Sequence, residues 1–237
     1  MLDPAPAAPY FLRVENQSVT GDIPIRLFKS DFLEFFTHIH PAAVLSLWVP
    51  VIAFFLARAV LLPWPGRGIF VPLCFVTGLF LWTLVEYCLH RFLFHYEART
   101  EWGKRVFYLF HGVHHAQPMC KSRLVMPFAL SIPLAILFFL LFDAVVGVLL
   151  GRPQWVAPLF AGIVSGYLAY DMLHYASHHF RLKSPVLKAI RRSHMQHHGS
   201  THDMRFGVSS PLWDYVFGTM PRQPTAPARQ TEPAPRD

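Results

Sequence analysis

Four apolar runs, residues 42–62, 69–89, 127–150 and 156–176, constrain this chain's fold more than any other feature. Each is close to the ~20 residues an α-helix needs to cross the hydrocarbon core of a bilayer. A segment facing lipid must satisfy its own backbone hydrogen bonds, which a helix does alone. PWPGRG (63–68) separates the first pair of runs and GRPQW (151–155) the second. Both are turn sequences, so each pair reads as a tight antiparallel hairpin. The expected fold is an all-α integral membrane protein with four transmembrane helices in two hairpins. Its N-terminal, central and C-terminal segments return to one side and form a helical cap there.

Lysine and arginine orient this arrangement. Of 21, three precede the first run, six lie in 91–125 and nine follow Ala176, leaving Arg58, Arg67 and Arg152 for the far side. The positive-inside rule then puts the cap in the cytoplasm. The net charge of +7 comes without a basic stripe interleaved with aromatics, so no nucleic-acid partner is expected. Cys74, Cys88 and Cys120 form no CxxC pair, which indicates neither a disulfide framework nor a thiolate zinc site. MLDPAPAAPY lacks a basic region followed by an apolar core, so no cleaved signal peptide is expected. Residues 1–24 and the Pro-rich 221–237 are expected to be disordered around a membrane-embedded domain of residues 25–220. Within that domain IRLFKSDFLEFFTHIHP (25–41) reads as an amphipathic helix, lying on the bilayer surface or packed on the cap.

Eleven of the 14 histidines fall in four short pieces on the cap side: HRFLFH (90–95), HGVHH (111–115), HYASHH (174–179) and HMQHH (194–198). Only His38, His40 and His202 lie outside them. A polar residue at the membrane interface accounts for a lone histidine such as His38 or His40. It does not account for HGVHH, whose rings at i, i+3 and i+4 share one helical face, recurring beside three similar pieces. The clustering points to a metal site, and imidazole suits Fe, Cu, Zn and Ni. One ion takes roughly four to six ligands, so about ten gathered histidines fit two ions better than one. His114 and His115 diverge by about 100° on a helix, so each can serve a different ion. His90 and His95 diverge by about 140°, which suggests two ions or a helix break between them.

A ligating imidazole usually passes its other N–H to a carboxylate or carbonyl. Glu86, four before His90, and Asp171, three before His174, are candidates for that task, since an ionisable group late in an apolar helix is expensive. Snorkelling, or a salt bridge such as one to Arg91, is the other reading. Asp203 and Asp214 are further candidates, weighed equally against plain surface charge. Trp82, Tyr87, Tyr167 and Tyr170 are placed to line an acyl chain's path, although core packing is the commoner role for such residues.

HRFLFH, HGVHHAQPMCKSRLVMP (111–127), GYLAYDMLHYASHH (166–179) and HMQHHGSTHDMRFGVSSPLWDYVFGT (194–219) together resemble the fatty acid hydroxylase and sterol desaturase superfamily. The likeness is closest to its fatty acid 2-hydroxylase branch, which also has a segment like IRLFKSDFLEFFT before the first membrane helix, and it runs over residues 25–219. It implies four membrane helices under a cytoplasmic cap holding a dimetal centre that uses O2 and electrons to hydroxylate a lipid acyl chain at C2. The ligands implied by motif position are His90, His95, His111, His114, His115, His174, His178, His194, His197 and His198. His179 and His202 are implied as accessory, in a supporting shell with Glu86, Asp171 and Asp203, and no catalytic residue is implied beyond the metals. Tyr87 and Tyr170 are the substrate-binding candidates. The reaction calls for iron or another redox-active metal, and two iron ions are expected, with zinc able to occupy the same imidazoles in isolated protein.

Nothing here resembles the cytochrome b5 domain often fused to eukaryotic members, so electrons are expected from an external redox protein such as cytochrome b5 or ferredoxin. With no recognisable retention signal either, a bacterial inner membrane is expected over the endoplasmic reticulum. Two positions depart from the family: Cys120 stands where an acidic residue is common, and Arg205 where glycine is. Both are expected beside the substrate entrance. The same histidines suit a desaturase or a sterol or carotenoid hydroxylase. A metal transporter would hold its ligands near the bilayer midplane, and a zinc hydrolase would need the HExxH that is absent.

Overall fold

The computed structural model describes residues 23–221, and over them the chain is helical with no strand. Nearly all of the two ends expected to be disordered lies outside the described residues. In chain order the α-helices are α1 (Asp31–Phe35), α2 (Pro41–Leu61), α3 (Arg67–Cys88), α4 (Glu101–Phe107), α5 (Val113–Ala116), α6 (Phe128–Phe142), α7 (Pro153–His179), α8 (Pro185–Gly199) and α9 (Leu212–Val216). Three π-helical stretches join them: Leu89–Phe94 extends α3, Tyr108–Gly112 leads into α5, and Asp143–Leu149 extends α6. Four stretches are long and apolar enough to cross a membrane: Pro41–Leu61, Arg67–Phe94, Lys121–Leu149 and Pro153–His179.

Helix starts follow local chemistry. His40 Nδ1 accepts from the Ala42 N–H at 3.1 Å with Pro41 at the first turn of α2. Ser184 Oγ accepts from the Leu187 N–H at 3.3 Å with Pro185 opening α8. Such caps satisfy donors that a helix leaves orphaned, and proline has no N–H to orphan.

The spine of the bundle is α7, most of which is buried, whereas the other three candidate spans are largely exposed. Glycine makes this possible. A Cβ on Gly162 of α7 would sit 2.1 Å from the Phe75 carbonyl oxygen, and one on Gly78 of α3 would sit 2.2 Å from that of Leu159. The two backbones therefore touch, as small residues permit where no hydrophobic drive holds helices together. One turn on, Gly166 leaves room for Trp82, which packs against Tyr167 and Tyr170 at ring separations of 5.5 and 5.9 Å. Trp48 of α2 meets Tyr167 from the other side at 5.7 Å. Trp82 and Tyr167 thus serve the core. Phe54, Leu73, Phe80, Leu137 and Leu140 stay exposed on the outer faces, where lipid would cover them.

Residues 23–38, including α1, form a strap over the cap. The buried Gln117 side chain donates to the Ile23 carbonyl at 2.9 Å and accepts from the Ile25 N–H at 2.8 Å. Glu34 accepts from the Leu27 and Phe28 N–H groups and from Arg123 at 2.5 Å, and meets His38 at 3.1 Å. Phe32 and Phe35 point outward. Burial pushes the Glu34 carboxyl up, but the Phe28 N–H, His38, the Leu27 N–H and Arg123 outweigh it and hold the group below its ordinary value. A depressed folded-state pKa means the anchorage is complete above the unfolded value and is lost as pH falls through the folded one, below about pH 4. Amide exchange over residues 25–37, corrected for intrinsic rate, is expected to rise there relative to pH 7. Glu34→Gln should show raised exchange already at neutral pH, by about 1–3 kcal/mol of protection; unchanged protection in that variant would refute the anchorage.

Candidate metal centre

The four histidine pieces converge where α3 and α7 end and where α5 and α8 pass over them. HRFLFH lies in the π-helical stretch that extends α3, with the His95 N–H bonded to the His90 carbonyl at 3.1 Å. Hydrogen bonds from i to i+5 widen the turn and align residues five apart. His90 and His95 therefore face the same way, without the helix break or second ion that a 3.6-residue turn suggests.

Two groups of five result: His90, His95, His111, His115 and His197, and His114, His174, His178, His194 and His198. Within each, one nitrogen per ring lies within 4.8 Å of the others. In the first group the Nε2 atoms of His90 and His111 are 3.1 Å apart, of His111 and His115 3.0 Å, and of His95 and His197 3.0 Å. In the second, His114 stands 2.9 Å from both His174 and His198, and His194 stands 2.8 Å from His178 and 3.1 Å from His198. Two nitrogens ~2.1 Å from one ion and at right angles lie ~3 Å apart, so the spacing suits two ions. The i,i+4 pairs 111/115, 174/178 and 194/198 share a group, whereas the neighbours His114/His115 and His197/His198 split between the two. The groups abut, with the rings of His115 and His198 4.3 Å apart.

Burial keeps these rings neutral and their lone pairs available. It depresses His95 to about 4, with His197 and His202 adding to the effect, and His198 to about 2, with His178 and His197 adding. His111, His114, His115 and His194 are likewise pushed far below the ordinary histidine value by burial first and by neighbouring imidazoles second.

Backbone carbonyls set the tautomers in the first group. His90 Nδ1 donates to the Phe206 carbonyl at 2.6 Å and His197 Nδ1 to that of Met204 at 2.7 Å, which leaves each Nε2 bare for a metal. The loop carrying those carbonyls hangs on two buried carboxylates. Asp214, with no exposed surface, accepts from the Phe206 and Gly207 N–H groups at 2.8 Å each and from the Thr219 hydroxyl at 2.7 Å. Glu86 accepts from the Val208 and Ser209 N–H groups at 2.6 and 2.7 Å and from the Ser209 hydroxyl. Glu86 therefore reaches its histidine through the loop, one residue pair removed. On the other side Asp171 accepts from the Met126 N–H at 3.2 Å and so holds the chain that enters α6.

His179 lies outside both groups, against the Tyr175 ring at 4.7 Å, and His202 and Asp203 are exposed on a rim. Tyr87 packs behind Phe206, its hydroxyl shared between Thr219 at 3.0 Å and Arg91 at 2.8 Å. Tyr170 lines an apolar cavity of about 310 Å³ that ends on His111, His114 and His174 and is walled by Leu27, Phe28, Leu33 and Phe36 of the strap. A wider groove of about 890 Å³ reaches His95 and His202 among Arg91, Lys104, Arg105, Glu97, Glu101 and Asp203. Phe94 lines both. Cys120 is fully buried beside Ser122. Arg205 takes a left-handed φ of 61° that favours glycine, and turns its side chain to Met220. Nothing in the sequence singles out Gln117, Glu34 and Arg123. Their partners lie up to 94 residues away, and no local pattern marks them.

A sequence model of the fatty acid hydroxylase family matches residues 75–219, which include every histidine of both groups. The chain belongs to the fatty acid hydroxylase family. Over 196 residues it is 40% identical to the dihydroceramide fatty acyl 2-hydroxylase FAH1 of Arabidopsis thaliana, covering 83% of this chain and 80% of that protein. It is 37% identical over 175 residues to the ceramide very long chain fatty acid hydroxylase SCS7 of Saccharomyces cerevisiae, covering 73% of this chain and 43% of that one. The solved structure of full-length scs7p, in which only the hydroxylase domain is visible, superposes with a TM-score of 0.72 at 36% identity, over 80% of this chain and 69% of that one. This fatty acid hydroxylase is accordingly an oxidoreductase of the monooxygenase kind. The plant and yeast relatives, with the fatty acid 2-hydroxylases of rat and human, overturn the expected bacterial inner membrane. That expectation rested on two missing signals, and neither alters how apolar helices partition into one bilayer rather than another.

Proposed function

We propose that this fatty acid hydroxylase inserts one oxygen atom of O2 at C2 of a membrane lipid's acyl chain, using two iron ions held by the two histidine groups. The observation that carries the reading is the apolar cavity that ends on His111, His114 and His174 and so touches both groups at once. The activities of the relatives, acyl 2-hydroxylation among them, support the position of attack. Overall, R–H + O2 + 2 e⁻ + 2 H⁺ gives R–OH + H2O. Iron supplies the redox chemistry with O2, which zinc in the same imidazoles does not.

The chain's own residues place the reacting C–H. Tyr170 and the strap side chains enclose the acyl tail and exclude water, and the mixed-charge groove beyond Phe94 receives the polar head, so that a carbon near the head stands beside the histidines. Glu86 and Asp214 hold the loop that orients His90 and His197, Asp171 holds Met126 at the wall of the cavity, and His202 and Asp203 border the groove. The skew of Lys and Arg supports a cytoplasmic cap over two hairpins, in a membrane-embedded domain of residues 25–220. The electrons come from a redox protein such as cytochrome b5 or ferredoxin.

The test is reconstitution with iron, a reduced donor and O2, offering a free acid, an acyl thioester and a ceramide, with mass-spectrometric location of oxygen. A 2-hydroxy product is expected; a double bond, or oxygen elsewhere on the lipid, would replace the reading with another oxidation.

A further inference from the structure

On the outer side of α8 lies an open depression of about 560 Å³, lined by Arg181, Lys188, Arg191 and Arg192 around Met195 and Gln196 and by no acidic residue. From residue 172 to residue 202 the sequence holds neither Asp nor Glu. The same helix sends His194, His197 and His198 inward, so the depression and both histidine groups are separated by one helix, roughly 10 Å across. Arg191 Nε donates to the Ser177 carbonyl at 2.8 Å, fixing this face to the end of α7 that bears His174 and His178.

Hydroxylation consumes two electrons per turnover, and they must reach buried rings from outside. The other approach, the groove at His95, carries Glu97, Glu101 and Asp203 among its cations and serves the substrate. The basic depression offers charge of a single sign and a path that leaves the substrate undisturbed. We propose that it is the docking surface for a small acidic one-electron carrier protein, two reduced molecules of which dock and are oxidised in succession, each delivering one electron across α8. This rests on the hydroxylase reading above, which supplies O2, the protons and the substrate.

The full chain in nanodiscs of neutral lipid is titrated with the soluble haem domain of cytochrome b5, an acidic carrier. The wild type is compared with Arg181→Glu/Lys188→Glu/Arg192→Glu, Arg191 being kept for its bond to Ser177. Binding should weaken with salt in the wild type, and the triple variant should lose about tenfold or more in affinity together with that salt dependence. The KM for the haem domain in hydroxylation should rise in parallel with kcat at saturation unchanged, and turnover driven by dithionite and methyl viologen should not move. Arg181→Lys/Arg192→Lys should keep the affinity, which separates charge from folding. Undetectable wild-type binding, or equal affinity in the triple variant, overturns the proposal. So does a triple variant that binds the haem domain normally and loses only vesicles containing phosphatidylserine, since the face then serves lipid. Salt-sensitive binding lost in the triple variant, with no hydroxylated product from either donor, upholds the docking surface and sinks the hydroxylase reading instead.

Discussion

Replacing His114 with alanine is expected to lower bound metal from two ions to one per chain and to cut hydroxylation by at least ~100-fold, more than the loss usual for a supporting residue. His114 is buried and stands 2.9 Å from both His174 and His198, so its removal opens the second group at the point where two of its contacts meet. His115→Ala should lower the metal content equally by emptying the other group, since its Nε2 lies 3.0 Å from that of His111. His179→Ala is the comparison: its ring lies against Tyr175, outside both groups, and both ions and most of the activity should remain. Elemental analysis alongside product formation decides. A His114→Ala protein that keeps two ions and full activity would sink the assignment.

Gly162→Val is expected to abolish folding, not merely activity. The added Cβ would lie 2.1 Å from the Phe75 carbonyl oxygen and 3.0 Å from the Gly78 Cα, and neither is the end of a side chain that can swing away. Relief requires α3 and α7 to part, which unpacks Trp82 from Gly166 and moves the exits that carry His90 and His174. The cost should exceed the ~1–3 kcal/mol of ordinary overpacking, enough to remove most of a typical domain's margin. Gly68→Ala, with nothing within 4 Å of its added Cβ, is expected to behave as wild type. Size-exclusion profiles and thermal midpoints in detergent measure the contrast, and a Gly162→Val protein that melts with the wild type would show that the helices do not touch there.

Much of this was legible because membrane helices write their length and polarity into continuous sequence, and because HGVHH, HYASHH and HMQHH follow ordinary helical spacing. His90 and His95 did not yield to that rule, since a spacing of five means alignment only where the helix widens, and composition does not announce a π-turn. Asp214 reads in the sequence equally well as surface charge. Its burial depends on Phe206, Gly207 and Thr219 closing around it, a tertiary event with no periodic trace. Gln117 was invisible for the same reason, since its amide clamps Ile23 and Ile25 across most of a hundred residues. A bacterial setting rests only on missing signals, and the plant, yeast and mammalian relatives correct it.

The split of neighbouring histidines fixes more than which ring serves which group. His114 and His115 on α5, and His197 and His198 on α8, are rigid pairs whose members differ by a single step of the helix. The spacing of the two groups where they meet is therefore set in part by backbone pitch at two independent places, and a shift of either helix moves rings of both groups together. The two groups are thus coupled mechanically through α5 and α8, so that neither can be displaced there without the other.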